Sequence, residues 1–171
     1  MHNHDQFMNL ALSEAKKALG DGEFPVGCVF VLDGEVVAKS RRKNSSGPQA
    51  NELDHAEITA LRTIQRIEPM PDLSEITVYS TMEPCLMCFS AMLLSGIRNY
   101  VWAFEDVMGG GTNLPLELLN PFYSGMKVKL IGNVQRTESL RLFQNFFRKH
   151  TYRQDSLLAR YTLKQHLEHK P

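Results

Sequence analysis

Between Gln6 and Leu19 the apolar residues Phe7, Ala11, Ala15, Ala18 and Leu19 recur at helical spacing, and Gly20 stands where a helix-ending glycine is expected. The period then falls to two. "VGCVFVLDGEVVAKS", from Val26, is a pair of β-branched runs either side of Asp33–Gly34, a dipeptide suited to a tight turn, so a β-hairpin is predicted. Residues 41–54, "RRKNSSGPQANELD", have no period and read as a loop. Helical spacing returns from His55 to Arg66 through Ile58, Leu61, and Ile64 or Gln65.

"EPMPDLSE" breaks that helix, and "ITVYST" (Ile76 to Thr81) follows as a short buried strand. Cys85 to Ser95 is a helix closed by Gly96, and "NYVWAF" (Asn99 to Phe104) is a further strand. "GGGTNLP" reads as a flexible connection, "LELLN" as a helical turn and "KVKLIG" (Lys127 to Gly132) as the last strand. Leu140, Phe143, Phe146 and Phe147 give the final helix its apolar face, and helical pattern continues, with or without a break, towards Leu167. Strands feeding helices predict an α/β fold, a three-layer α-β-α sandwich whose five-stranded mixed sheet is covered on both faces. The expected organisation is a single domain over residues 1–171, with a C-terminal helical extension from about 151 to 171.

Composition adds exclusions. The chain has 171 residues, 43% hydrophobic and 22% charged, with formal net charge zero, so no global positive field gathers nucleic acid. Contact with nucleic acid must then be local. Arg41, Arg42 and Lys43 form one short basic cluster, and Arg148, Lys149, His150 and Arg153 a second. No apolar run approaches bilayer length and the first residues lack the pattern of a signal peptide, so the expected location is cytoplasmic, with no membrane partner.

In a reducing compartment three cysteines read as metal ligands, catalytic groups or small buried hydrophobes. In "EPCLMC", Pro84 suits a first helical turn, which puts Cys85 and Cys88 one turn apart near the positive end of the helix dipole. Thiolate is favoured there, and two adjacent thiolates call for a cation such as Zn²⁺. The best further ligand is His55 in "DHAEI", at the start of the preceding helix, because one intervening strand sets the two helix N-termini at the same sheet edge. Three protein ligands leave a fourth position open, as in a catalytic zinc. Glu57, two residues after His55, points its carboxylate at that position as a proton carrier.

Two plainer readings compete. A C-x-x-C pair can be a redox couple, although such a pair follows the first strand of a thioredoxin-type fold and this one follows the third. Cys28 can close the site as a fourth, structural ligand, but its place between Val26, Gly27 and Val29 in a strand favours a buried small hydrophobe.

H-A-E followed thirty residues on by P-C-x-x-C resembles the zinc-dependent cytidine deaminase superfamily. Within it, "EFPVG", "HAEITALR", "EPCLMCFSAM" and "FFR" are most similar to runs in bacterial tRNA-specific adenosine deaminases. The resemblance implies one zinc held by His55, Cys85 and Cys88, proton transfer by Glu57, and replacement of an exocyclic amino group of a nucleobase by oxygen with release of ammonia. It implies Asn44, Ala56, Glu83 and Pro84 as substrate-binding residues, and a homodimer. The implied substrate is a tRNA anticodon loop, deaminated at the wobble adenosine, or a small nucleobase-type molecule; a zinc-stabilised binding domain without catalysis is the non-enzymatic alternative. This sequence departs from the family's pattern at "NELDHAE", where Asp54 adjoins the ligand, and at "EDVMGGG", which keeps Asp106 but has Met108 in place of a lysine. Phe24, Phe104, Phe122 and Tyr123 are aromatic candidates for stacking on a base.

Overall fold

The computed structural model describes residues 4–48, 50–150 and 154–166. The first helix, α1 (His4–Gly20), leads into the hairpin β1 (Gly27–Leu32) and β2 (Glu35–Arg41). Asp33 and Gly34 both take positive φ, 50° and 82°, as a tight hairpin of right-twisted strands requires. Then come α2 (Ala56–Ile64), β3 (Thr77–Met82), α3 (Leu86–Leu94) and β4 (Asn99–Phe104). After a short helix α4 (Pro121–Ser124), β5 (Lys129–Ile131), α5 (Arg136–Lys149) and α6 (Leu157–Lys164) complete the chain.

The five strands form one mixed sheet in the order β2-β1-β3-β4-β5, as the alternation of elements predicts. β1 is antiparallel to β2 and β3, so β2 runs parallel to β3, and β3, β4 and β5 are mutually parallel. Consequently α2 and α3 both start where a parallel strand ends, at the same edge of the sheet.

Each strand divides its side chains between two layers, as the pleat demands. Cys28, Phe30, Val78, Met82, Tyr100 and Phe104 join the core under α2 and α3. Val29, Val31, Tyr79, Val101 and Ala103 face α1, against Phe7, Met8, Ala11 and Leu12. α5 contributes to both layers, Leu142 to the α1 side and Leu140, Phe143, Phe146 and Phe147 to the other. Phe143 is fully buried and stacks on Phe104 with ring centroids 5.5 Å apart; truncating such a core aromatic costs about 3–5 kcal/mol.

Two expectations need adjustment, and one left open is decided. Pro84 lies outside α3, because Cys85 itself is the N-cap residue. The last strand shortens to Lys129–Ile131, three residues at the sheet edge. The final helix breaks at His150, whose backbone is extended (φ −115°, ψ 126°), and α6 folds back on α5, where Gln144 Nε2 donates to the carbonyls of Thr162 (3.1 Å) and Gln165 (2.8 Å). Leu167 lies outside the described residues.

Close packing of α1 on the hairpin depends on Gly27. A Cβ there would sit 2.1 Å from the Ala11 carbonyl oxygen and 2.5 Å from the Ala15 nitrogen, both backbone atoms that a rotamer change cannot move. Gly27→Ala is therefore expected to lower Tm by roughly 4–10 °C, on the order of 2 kcal/mol or more. Gly125→Ala, where the added carbon meets nothing within 4 Å, serves as the control and should leave Tm unchanged in the same thermal melt.

Candidate metal centre and cavity

His55 is the N-cap residue of α2 and Cys85 that of α3, and neither uses its side chain to cap its helix. Both are thereby free to meet at the positive ends of the two helices. His55 Nδ1 lies 3.5 Å from Cys85 Sγ and 3.4 Å from Cys88 Sγ. Zinc bonds of about 2.3 Å to sulfur and 2.0 Å to nitrogen, meeting at the tetrahedral angle, place those atoms about 3.5 Å apart. Donor atoms of the three residues all lie within 4.8 Å of one another, a group that fits one zinc ion and is the only such group among the described residues. Cys28 is not in it; fully buried in β1, it has its thiol pushed up by burial first and then by Glu57, and packs as a small hydrophobe.

Charge at this point is delicately divided. The Cys85 thiol is lowered to about 4, first by its hydrogen bond with Cys88 and, against burial, by the one with His55. Cys88 moves the opposite way, raised by the same hydrogen bond and by burial. The pair holds one thiolate readily and resists a second, so a dication that binds both sulfurs must displace the remaining proton. His55 is itself raised, chiefly by its hydrogen bond with Cys85 and against burial, while Arg42 opposes the rise.

Glu57, in the first turn of α2, is only 3% exposed. Its Oε1 accepts a hydrogen bond from Ser80 Oγ (3.0 Å), and its Oε2 lies 3.6 Å from Cys88 Sγ. Burial pushes this carboxyl above the ordinary glutamate range. Ser80, which fixes the carboxylate's orientation, was not singled out from the sequence; its signal is a hydroxyl inside the otherwise buried strand "TVYSTM".

The connection after β4 is tied to the start of α3 by backbone hydrogen bonds. Its glycines pack on the start of α3: Leu86 N–H donates to the Gly109 carbonyl (3.2 Å), Gly111 N–H to that of Pro84 (3.0 Å), and Cys85 pairs with Gly110 as an isolated bridge. A Cβ on Gly111 would come within 2.5 Å of Leu86 Cα, so only glycine allows the backbone this close. Glu83 holds the same loop, accepting from Asp106 N–H (3.1 Å) and from the Thr112 hydroxyl.

The metal group opens into a cavity of about 190 Å³. Ala56, Glu57, Glu83, Asp106 and Met108 line it near His55 and Cys85; Phe24, Phe146, Phe147 and Leu158 make an apolar wall. Of the residues expected at the substrate, Ala56 and Glu83 are thus in the lining, whereas Pro84 and Asn44 are not. Asn44 takes a left-handed backbone (φ 54°) between Arg42 and Ser45, which do line the cavity. Of the four aromatic candidates Phe24 lines the cavity, while Phe104 belongs to the core, Tyr123 packs against it and Phe122 is exposed. In the first basic cluster Arg41 pairs with Asp21 (3.2 Å) and Glu14 (3.7 Å) and Arg42 with Glu52 (3.3 Å); in the second, His150 stacks on Phe146. Arg153 lies outside the described residues.

Zinc analysis of the purified protein is expected to give one ion per chain. Cys85→Ser should retain less than about a tenth of that and lose the drop in Tm that a chelator causes in the parent protein, because metal binding is coupled to folding. A Cys85→Ser protein with full zinc content would show that the three donors are not the ligand set.

A protein-family model described as "Cytidine and deoxycytidylate deaminase zinc-binding region" matches residues 1–104. The tRNA-specific adenosine deaminase of Aquifex aeolicus is 32% identical over 145 residues, covering 85% of this chain and 94% of that protein. That of Bacillus subtilis is 30% identical over 149 residues, covering 87% and 91%. A structure solved in work on A-to-I editing by tRNA:A34 deaminases at the wobble position superposes with a TM-score of 0.68 at 30% identity, covering 80% of this chain and 98% of its own. The guanine deaminase of Nitrosomonas europaea, at 20% identity and a TM-score of 0.65, shares the fold over 83% of each chain. With the family model spanning more than half of the chain and its histidine and cysteines gathered in zinc-binding geometry, this protein belongs to the cytidine and deoxycytidylate deaminase zinc-binding family.

Proposed function

We propose that the protein is a hydrolytic deaminase that converts adenosine to inosine at the wobble position of a tRNA anticodon, acting as one zinc-dependent domain over residues 1–171. The observation that carries the deaminase chemistry is the buried Glu57 carboxylate beside the three-donor group, both opening on one cavity, and the likeness to tRNA-specific adenosine deaminases at 30–32% identity supports the substrate. His55, Cys85 and Cys88 are the proposed ligands and Glu57 the proposed acid–base. Bound there, zinc supplies a Lewis acid that makes water a better nucleophile near neutral pH.

The chain's own residues do the rest. Glu57, oriented by Ser80, accepts a proton from water as oxygen bonds to the amino-bearing ring carbon, passes it to the adjacent ring nitrogen, and then carries the proton of the new hydroxyl to the exocyclic nitrogen. The carbon–nitrogen bond breaks, ammonia leaves, and a carbonyl takes the place of the amino group. Phe24, Phe146 and Phe147 give the base an apolar wall and limit water at the reacting edge. A cavity of about 190 Å³ is below the ~300–1,000 Å³ of drug-sized sites, room for one base turned out of its stack rather than for folded RNA.

A second reading, deamination of a free base or nucleoside, draws on the engagement of Arg41 with Asp21 and Glu14 and of Arg42 with Glu52, which leaves fewer basic groups for phosphates. Asn44, with its half-buried side chain beside the cavity-lining Arg42 and Ser45, is proposed as a contact to the sugar of an RNA substrate and would matter less for a free base. The location is proposed as cytoplasmic; among the described residues no helix is long and apolar enough to cross a membrane. A homodimer is proposed from exposed apolar side chains, Leu86 and Leu94 on α3 and Leu118 and Phe122 in the segment between β4 and β5, the last two 79% and 65% exposed.

Inosine should appear in an anticodon stem-loop incubated with the protein, with no ammonia from free bases; ammonia from free bases alone would replace the first reading by the second. Glu57→Gln should lower that activity by at least ~10²–10⁴-fold while zinc stays near one per chain. Light scattering on a sizing column should give twice the 19.4 kDa chain mass, and Phe122→Glu should return it to one; a parent protein at one chain mass refutes the dimer.

A further inference from the structure

A cavity of about 190 Å³ takes one base, so every other part of an RNA substrate has to lie outside it, across the rim. Among the described residues that line the cavity, only Glu52 and Met108 are exposed. Glu52 is drawn to Arg42 (3.3 Å), which leaves Met108, 48% exposed, as the apolar side chain that reaches from the cavity to solvent. An exposed methionine is ordinary in itself. This one is placed by its backbone: Asp106 Oδ1 accepts from the N–H groups of Met108 (3.0 Å) and Gly109 (2.9 Å), the Asp106 carbonyl accepts from Gly110 N–H (3.0 Å), and the Gly109 carbonyl accepts from Leu86 N–H (3.2 Å). The main chain at Met108 is thus fixed to the start of α3 beside Cys85, while the side chain, soft and unbranched, is left to adapt to whatever crosses it.

Met108 also lines a neighbouring groove of about 400 Å³, so it borders both spaces. The chemistry of that groove selects what lies over it. Glu83, Glu105 and Asp106 stand in the wall, and among the described residues the cation paired with them is Arg136, on Glu105. A phosphate is disfavoured next to such a wall. A nucleobase suits it better, bringing a flat face for the thioether and N–H donors for carboxyl oxygens.

We infer that Met108 is a specificity-determining residue whose side chain packs on the face of a nucleobase adjoining the target adenosine in the RNA strand. This rests on the reading of an RNA substrate. Met108 holds the strand beside the cavity; it moves no proton in the reaction.

The test compares the parent enzyme with Met108→Ala, which removes the contact, and Met108→Leu, which keeps apolar bulk. Rates of ammonia release, as kcat/KM, are measured on anticodon stem-loops in which the nucleotide 5′ or 3′ of the target adenosine is either ordinary or abasic. The abasic nucleotide keeps ribose and phosphates and lacks only the base. At one of the two positions the parent enzyme is expected to prefer the ordinary substrate by roughly 5–10-fold, the size of a good sulfur–aromatic contact. Met108→Ala should lower that preference by at least about 3-fold, and Met108→Leu should keep it within about 3-fold of the parent's. A merely structural Met108 would lower all rates together and leave the preference intact in Met108→Ala, which overturns the inference. So does a parent preference below about 3-fold at both positions, or a Met108→Leu protein that loses the preference as Met108→Ala does. If Met108→Ala does not fold, Met108→Ser takes its place under the same criterion. A parent enzyme that turns over free bases and no stem-loop fails the RNA reading and this inference with it, whereas an enzyme active on stem-loops whose preference ignores Met108→Ala fails this inference alone.

Discussion

Two thiols and an imidazole converge within 4.8 Å of one another at the N-termini of two helices, and the protein around them is arranged to make that convergence bearable. Helix dipoles favour a negative sulfur there, yet the opposed shifts of Cys85 and Cys88 mean that without a cation only one of the two sulfurs carries charge comfortably. Zinc chemistry and fold are thus linked at one point. The β2-α2-β3-α3-β4 path places His55 and Cys85 as N-cap residues at the same sheet edge, and the glycine connection then closes over Cys85.

Rigidity spreads outward from that point through polar groups with named partners. Glu83 ties the loop after β4 to the end of β3 through Asp106 and Thr112. On the other side, Ser45 is gripped by Glu23 and Phe24, with Ser45 N–H donating to Glu23 at 2.6 Å, and Asn51 and Asp54 close the turn that leads into His55. Both walls of the cavity are accordingly set before a substrate enters, the condition under which a positioned carboxylate is most effective. The aromatic wall comes from elsewhere in the chain: Phe146 and Phe147 at the end of α5, with Phe24 packed against both at ring-centroid distances of 5.2 and 5.9 Å. α6 adds Leu158, so the C-terminal segment contributes directly to the cavity.

Much of this was legible in the sequence wherever a signal was local. The Asp33–Gly34 turn, the helix-ending Gly96 and the two-residue period of the strands act over a few residues, and the strands and main helices follow them closely. His55, Glu57, Cys85 and Cys88 were readable for the same reason, since each pair sits within one turn of one helix and the intervening strand dictates where the two turns meet. Pattern reading failed where a local preference met a tertiary one. Three glycines in a row suggest freedom, yet at Gly111 the requirement is lack of a side chain against Leu86, a contact that no composition rule contains.

What the residue order determined by itself, then, was the α/β sandwich and the gathering of His55, Cys85 and Cys88 with Glu57 beside them, because hydrophobic period, turn chemistry and ligand spacing are properties of short stretches. What only the tertiary structure decided was how distant polar groups are spent. Arg41 and Arg42 look alike in "RRK", but Arg41 is drawn to Asp21 and Glu14 while Arg42 is buried against the Asn51 carbonyl and Glu52. Ser80 becomes the partner of Glu57, and Asn44 yields its place in the cavity wall to its neighbours. The physical reason is that a hydrogen bond or ion pair is satisfied by whichever partner the fold brings within about 3 Å, and that choice is made between segments the sequence keeps tens of residues apart.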